Sequence, residues 1–123
     1  MTWKRNIPGL LTDDIRLRVP LDHNNPEDLR TVEIYARLVA VPDGTDKPYL
    51  VFLQGGPGCE SPRPTLRDPG FPGWLARALQ DYQLVLLDQR GTGLSSPVSE
   101  PVGDPVSQAE YLTHLRADEI VED

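Results

Sequence analysis

The residues best placed to do chemistry in this chain form a glycine-rich corner, Gly55-Gly56-Pro57-Gly58, directly after an apolar run. That run, from Leu50 to Leu53, has no polar break, and it predicts a strand buried on both faces. A glycine corner lets a substrate carbonyl approach the backbone, because no side chain is in the way. We therefore expect the backbone N–H of Gly56, with Gly55 as the neighbouring candidate, to stabilise a developing oxyanion. Such donors typically contribute about 3 kcal/mol each to the transition state.

A serine nucleophile is not recognisable in the sequence. A hydrolase of the strand-turn-helix type carries G-x-S-x-G at a sharp turn, and the nearest approach is Gly93-Leu94-Ser95-Ser96-Pro97. Proline replaces the closing glycine there, and the segment lies in a predicted loop. Ser95 and Ser96 are therefore expected to be loop hydroxyls that satisfy backbone groups.

The remaining reactive side chains favour neither a metal nor a cofactor. His23 and His114 are expected to be structural or exposed, and with Cys59 they lack the ligand spacing of a zinc site. Cys59 follows the glycine corner and is expected to be a reagent target rather than a catalyst. The corner is not a nucleotide-binding motif either, since no lysine follows it and Pro57 has no N–H to donate.

Two buried strands must position these groups. Residues 49–54 and 83–88 are apolar runs that each end in a turn, and a short helix is predicted between them over 71–80. Upstream, alternating apolar and polar residues at 15–19 and 31–41 predict an antiparallel pair. The predicted fold class is α/β, with an antiparallel strand pair followed by parallel strands joined by crossover helices.

A final helix is predicted from about residue 108 to the end of the chain. Ser107 and Glu110 have the spacing of a capping box, in which each side chain bonds the other's backbone N–H. Asp118, Glu119, Glu122 and Asp123 crowd the far end, where the helix dipole favours cations. We therefore expect one continuous helix that is cut off at the end of the chain rather than finished.

Composition limits the partners and the compartment. The chain has 123 residues, 12 basic and 19 acidic side chains and a net charge of −7, which argues against nucleic-acid binding. It contains neither a stretch long enough to span a membrane nor an apolar leader, so no membrane partner is expected. A single cysteine suits a reducing compartment, and we expect a cytoplasmic protein.

Several motifs together resemble the proline iminopeptidase group of serine peptidases. They are Leu53-Gln54-Gly55-Gly56-Pro57-Gly58, then Ser61-Pro62-Arg63-Pro64, then Leu87-Asp88-Gln89-Arg90-Gly91-Thr92-Gly93-Leu94-Ser95. The segments Val19-Pro20-Leu21-Asp22-His23 and Tyr111 to Asp118 are similar as well. The pairing of the glycine corner with Asp-Gln-Arg-Gly is the most specific feature. One departure is Gln54, which stands where many relatives have histidine.

The resemblance implies the amino-terminal portion of an α/β-hydrolase fold, with residues 1–123 ending before the nucleophile elbow. It implies a serine aminopeptidase that releases amino-terminal residues, proline favoured, from peptide substrates. The isolated chain, which lacks the triad, is then expected to be inactive. Asp88 and Arg90 would brace the loop beside the oxyanion corner through an ion pair or backbone bonds.

Two alternatives stay open at this point. One is another α/β-hydrolase, such as an esterase or an epoxide hydrolase with an aspartate nucleophile. The other is a non-enzymatic truncated product or interaction module that exposes its sheet. In that case the strand at 49–54 would present an apolar edge, and such an edge promotes self-association.

Overall fold

The computed structural model describes residues 2–54, 58–64, 73–96 and 103–123. The elements in chain order are β1 (Lys4–Ile7), β2 (Leu10–Pro20), β3 (Thr31–Ala40), β4 (Tyr49–Leu53), α1 (Gly73–Ala78), β5 (Gln83–Asp88), α2 (Pro105–Leu112) and α3 (Ala117–Glu122). The strands form one sheet in the order β1-β2-β3-β5-β4. Among the described residues, no helix is long and apolar enough to cross a membrane.

The sheet is mixed, as predicted. Strand β4 pairs with β5 in parallel, in a register that runs from Tyr49 opposite Gln83 to Leu53 opposite Leu87. Parallel neighbours need a crossover connection, and α1 lies in that connection. The carboxyl ends of β4 and β5 therefore lie side by side, with the glycine corner following one and the Asp-Gln-Arg-Gly turn following the other.

Strands β2 and β3 form the antiparallel pair that the alternating pattern predicts. Three side-chain contacts join the strands, Asp14 with Arg37, Arg16 with Glu33 and Arg18 with Thr31. The residue numbers increase along β2 and decrease along β3, as in an antiparallel pair. The period-two apolar positions of β3 are buried as predicted; they are Val32, Ile34, Ala36, Leu38 and Ala40. Tyr35 and Val39 on the opposite face are buried as well, so β3 is more buried than its alternation indicates.

The chain divides into two compact units, the first formed by Met1–Ile15, Ala36–Leu53 and Ser61–Leu87. Its core is an apolar cluster of Ile7, Leu10, Val39, Leu75, Leu79, Leu84 and Leu86. Helix α1 contributes Leu75, which is fully buried, and its Trp74 ring stacks on Phe52 of β4 with the centroids 4.6 Å apart. Residues 71–72, where the predicted helix begins, lie outside the described residues.

The expectation that β4 is buried on both faces is wrong. Tyr49, Leu50, Val51 and Leu53 are between 38% and 53% exposed. The physical reason is the strand order, since β4 is the last of the described strands in the sheet and pairs among them with β5 alone. Strand β5 lies inside the sheet, and there Leu84 and Leu86 are fully buried.

The predicted final helix is also wrong in its start and its continuity. Helix α2 begins at Pro105, and the carboxylate of Asp104 caps it by accepting the backbone N–H of Ser107 at 2.8 Å. Proline at the first helical position favours this earlier start, because its missing N–H would have had no helical partner. Arg116 has extended backbone angles, so the helix breaks and α3 begins separately.

Candidate functional site

The site is described within the second compact unit, formed by Arg16–Tyr35, Gln54–Glu60 and Asp88–Asp123. Its framework is the turn after β5. Asp88 is fully buried, and its Oδ2 accepts the backbone N–H of Leu94 at 2.9 Å. The N–H of Gly91 reaches the carbonyl of Ser95 at 2.8 Å, and the N–H of Ser95 returns to the carbonyl of Thr92 at 2.8 Å. These bonds hold the turn in one conformation.

Two glycines in this turn adopt backbone angles that other residues rarely take. Gly91 has φ of 80° and Gly93 has φ of 50°, both in the left-handed region. A Cβ at Gly93 would also overlap the Asp88 carboxylate and come within 2.8 Å of the Glu60 Cβ. Gly93 is therefore required both by its conformation and by its closeness to Asp88.

Ser95 and Ser96 bond backbone groups, which confirms the prediction that they are loop hydroxyls. The Ser95 hydroxyl donates to the carbonyl of Asp88 at 2.5 Å and accepts the N–H of Tyr35 at 2.7 Å. The Ser96 hydroxyl accepts the N–H of Glu33 at 2.9 Å. Ser95 is fully buried, so its hydroxyl cannot attack a substrate in this conformation.

Arg90 is the central structural residue of the unit, and its guanidinium is completely buried. Nε donates to Oδ2 of Asp123 at 2.8 Å, and Nη1 donates to the carbonyls of Leu21 and His114 at 2.6 and 3.0 Å. Nη2 donates to the carbonyl of Pro20 at 2.9 Å and to Oδ1 of Asp123. All five guanidinium N–H groups thus have an acceptor, which a buried charge requires.

The expected bracing role of Asp88 and Arg90 takes the form of backbone bonds, together with an ion pair from Arg90 to Asp123. Sequence reasoning missed Asp123 as the partner. The one signal for it was the acidic residue at the carboxyl end of a helix, an unfavourable place unless a cation lies opposite. Nε2 of His23 also contacts Asp123 Oδ1 at 2.7 Å, so this carboxylate joins two basic side chains.

The end of the glycine corner lies beside this turn. Gly58 lines a small open cleft together with Arg90, Gly91, Thr92 and Leu115. The structure therefore brings the last corner residue and the Asp-Gln-Arg-Gly turn together, as a shared site requires. Gly55 and Gly56, the predicted oxyanion donors, lie outside the described residues. Cys59 is an exposed free thiol.

A second charged cluster lies at the surface of the same unit. Arg30 donates to both oxygens of Glu110 at 2.8 Å and also binds the Asp28 carboxylate. The hydrogen bonds from Arg30 lower the pKa of Asp28 to about 2. The bonds from Arg30, and after them the contact with His114, lower the pKa of Glu110 to about 2. Both carboxylates are therefore ionised at neutral pH.

Comparisons with known proteins agree with the motifs. No family model matches the chain. Proline iminopeptidase of Aeromonas sobria is 46% identical over 110 residues, covering 85% of this chain and 25% of that protein. Proline iminopeptidase aneH of Aspergillus aculeatus is 38% identical over 122 residues, covering 91% of this chain and 25% of that protein. The chain thus spans about a quarter of the length of the curated relatives it matches. Over that quarter, the resemblance to the proline iminopeptidases that the glycine corner and the Asp-Gln-Arg-Gly turn predict is confirmed.

Proposed function

We propose that residues 1–123 are the amino-terminal portion of a single α/β-hydrolase domain, and that the whole protein is a serine aminopeptidase. Its substrates are peptides, from which it releases amino-terminal residues, with proline favoured. The observation that carries this proposal is the match of most of the chain to two proline iminopeptidases. The parallel pairing of β4 with β5 supports it, because the two motif-bearing strand ends lie side by side.

In this proposal the backbone N–H of Gly56, with Gly55 as the neighbouring candidate, donates to the oxyanion of the tetrahedral intermediate. Two observations support that role. The corner follows β4 at the edge of the sheet where β5 also ends, and its last residue, Gly58, lies against the turn that Arg90 holds. The nucleophile, its histidine and its acid come from the rest of the whole protein.

The single-cysteine composition and the exposed Cys59 thiol support a cytoplasmic location as part of the same proposal.

The decisive experiment is an assay with a proline-arylamide substrate. We expect turnover by the whole protein and none by the 123-residue chain, because the chain supplies the corner without a triad. Turnover above background by the pure 123-residue chain would refute the proposal that the triad lies in the rest of the whole protein. If the whole protein turned over simple acetate esters or epoxides much faster than the proline arylamide, an esterase or an epoxide hydrolase would be favoured instead.

The oxyanion role has its own test in the whole protein. Gly56→Pro removes the backbone N–H, and we expect it to lower kcat about 100-fold, as the loss of one oxyanion donor does. Gly73→Ala is the matched control, since a Cβ at Gly73 meets nothing within 4 Å. If kcat of Gly56→Pro stayed within a few fold of that of Gly73→Ala, the oxyanion would have to be bound by an N–H other than that of Gly56.

We also propose that the isolated chain self-associates through the edge of β4. The support is the position of β4 at the end of the sheet, together with the exposed apolar side chains of Tyr49, Val51 and Leu53. An unpaired edge with apolar neighbours readily accepts another strand.

A further inference from the structure

Three side chains from different parts of the second unit converge outside the proposed oxyanion site. One carboxylate oxygen of Asp22, one of Glu119 and one ring nitrogen of His114 all lie within 4.8 Å of one another. Asp22 follows β2, His114 lies between α2 and α3, and Glu119 lies in α3. Nitrogen and carboxylate oxygen together are a donor set for divalent first-row cations.

Each of the three side chains is oriented by a hydrogen bond through one polar atom. Oδ1 of Asp22 accepts the N–H of Asn24 at 2.9 Å, and Oε2 of Glu119 accepts the N–H of His23 at 3.0 Å. Nε2 of His114 bonds Oε1 of Glu110 at 2.8 Å. Within the described residues, the second polar atom of each side chain makes no hydrogen bond and is available to a ligand.

The contact with Glu110 determines which ring nitrogen of His114 can bind a cation. A carboxylate that accepts this hydrogen bond requires a proton on Nε2, so Nδ1 is the ring nitrogen left to bind a cation in the neutral ring. Glu110 is itself held at both oxygens by Arg30 at 2.8 Å. A histidine that donates its other ring N–H to a fixed carboxylate is the usual outer arrangement of a metal-binding histidine.

The charge around the cluster favours a cation as well. Nη1 of Arg90 lies 3.9 Å from Oε2 of Glu119, but all five of its N–H groups are bonded to other acceptors. The carboxylates outnumber the guanidinium groups in this neighbourhood. The carboxylates are Asp22, Asp28, Glu110, Glu119 and Asp123, and the guanidinium groups are Arg30 and Arg90.

We propose that Asp22, His114 and Glu119 bind one divalent first-row cation of the Zn²⁺ class through Nδ1 and two carboxylate oxygens, with water completing the coordination. The cation joins the segment after β2 to the α2–α3 connection and to α3, so its role is structural. The cysteine and histidines show no zinc spacing in the sequence, and these three ligands are far apart along the chain. The proposal does not depend on the aminopeptidase function.

The test is calorimetric titration of the 123-residue chain with ZnCl₂, in a Cys59→Ser background that removes the exposed thiol. We expect one bound ion, and binding at least tenfold weaker in His114→Ala, Asp22→Asn and Glu119→Gln. Glu110→Gln should weaken binding about 10-fold by releasing the ring of His114. The matched control is His23→Ala, which keeps the backbone N–H that bonds Glu119 and should bind zinc within threefold of the parent.

Nuclear magnetic resonance of the histidine ring nitrogens in the parent chain gives a second test, which does not depend on whether the variants fold. Zinc should shift the ¹⁵N resonance of His114 Nδ1 and leave both ring nitrogens of His23 in place. No heat of binding at millimolar zinc, an unshifted His114 ring, or equal losses in His114→Ala and His23→Ala would each overturn the proposal.

Discussion

At the scale of single residues, the turn after β5 depends on Asp88, Arg90 and Gly93, and each is explained by a different physical requirement. Asp88 accepts a backbone N–H inside the fold, Arg90 needs five acceptors for a buried charge, and Gly93 has no room for a Cβ. The resemblance to the proline iminopeptidases implied that Asp88 and Arg90 brace this loop. It could not predict Asp123 as the partner, because that contact depends on where α3 lies.

Replacing Arg90 should destabilise the fold far more than replacing the exposed Arg77. Arg90→Lys keeps the charge but cannot reach three carbonyls and a carboxylate with one ammonium group, so buried acceptors lose their donors. We expect the free energy of unfolding to fall by about 3 kcal/mol or more, measured by urea titration. Arg77→Gln, which removes an exposed pair with Asp81, should change it by less than about 1 kcal/mol. Similar losses in both variants would contradict the role assigned to Arg90.

Acid should weaken the Arg30 cluster in a predictable direction. The folded-state pKa of Asp28 is lowered from 3.8 to about 2 by its hydrogen bonds with Arg30. A lowered carboxyl pKa contributes stability that is fully present above pH 3.8 and is lost as the pH falls through about 2. Arg30→Gln should return the pKa of Asp28 towards its ordinary value, as followed by carboxyl ¹³C resonances. The same titration in Arg77→Gln should leave Asp28 unchanged.

At the scale of elements, the strand predictions agree with the structure better than the helix predictions. Period-two alternation and apolar runs placed β3 and β5 correctly, because strands form where apolar side chains alternate or run without a break. The burial of Tyr35 and Val39 on the second face of β3 goes beyond that pattern. The exposure of β4 could not be read from its apolar residues, since exposure depends on strand order. The split between α2 and α3 also escaped prediction, because the carbonyl of His114 in the connection is one of the acceptors of Arg90.

The cap of α2 is Asp104 in the structure and Ser107 in the sequence-based prediction, and substitutions distinguish the two. Asp104→Ala should remove the acceptor of the Ser107 N–H and cost about 1 kcal/mol of local helix stability. None of the residues of α2 is buried, so the loss should appear as faster amide hydrogen exchange over 105–112 rather than as global unfolding. Ser107→Ala is the comparison, and faster exchange there than in Asp104→Ala would restore the capping box with Ser107 at its start.

At the scale of the whole molecule, we expect the exposed edge of β4 to govern how the isolated chain behaves in solution. Its side chains are apolar, whereas natural edge strands commonly carry charges that prevent pairing. The position of β4 at the end of the sheet therefore explains both why its side chains are exposed and why we expect the chain to self-associate. The pairing of β4 with β5 brings their carboxyl ends side by side, and no other described strand pairs with the far side of β4.

A single lysine should test the self-association proposal. Val51→Lys places a charge on the exposed edge strand, and we expect it to shift the chain towards a monomer in light scattering. Val106→Lys is the control, because Val106 is also exposed but lies in α2. A parent chain that is already monodisperse and monomeric would contradict the proposal, as would an equal shift in both variants.

The stacking of Trp74 on Phe52 gives this edge an optical reporter. Phe52 lies in β4 and the two ring centroids are 4.6 Å apart, so indole fluorescence senses the environment of that strand. The chain has two tryptophans, and replacing Trp3 with phenylalanine would leave the emission of Trp74 alone. The emission maximum and quantum yield of Trp74 should then change when β4 is covered, either by a second copy or by the remainder of a longer protein, and no added label is needed.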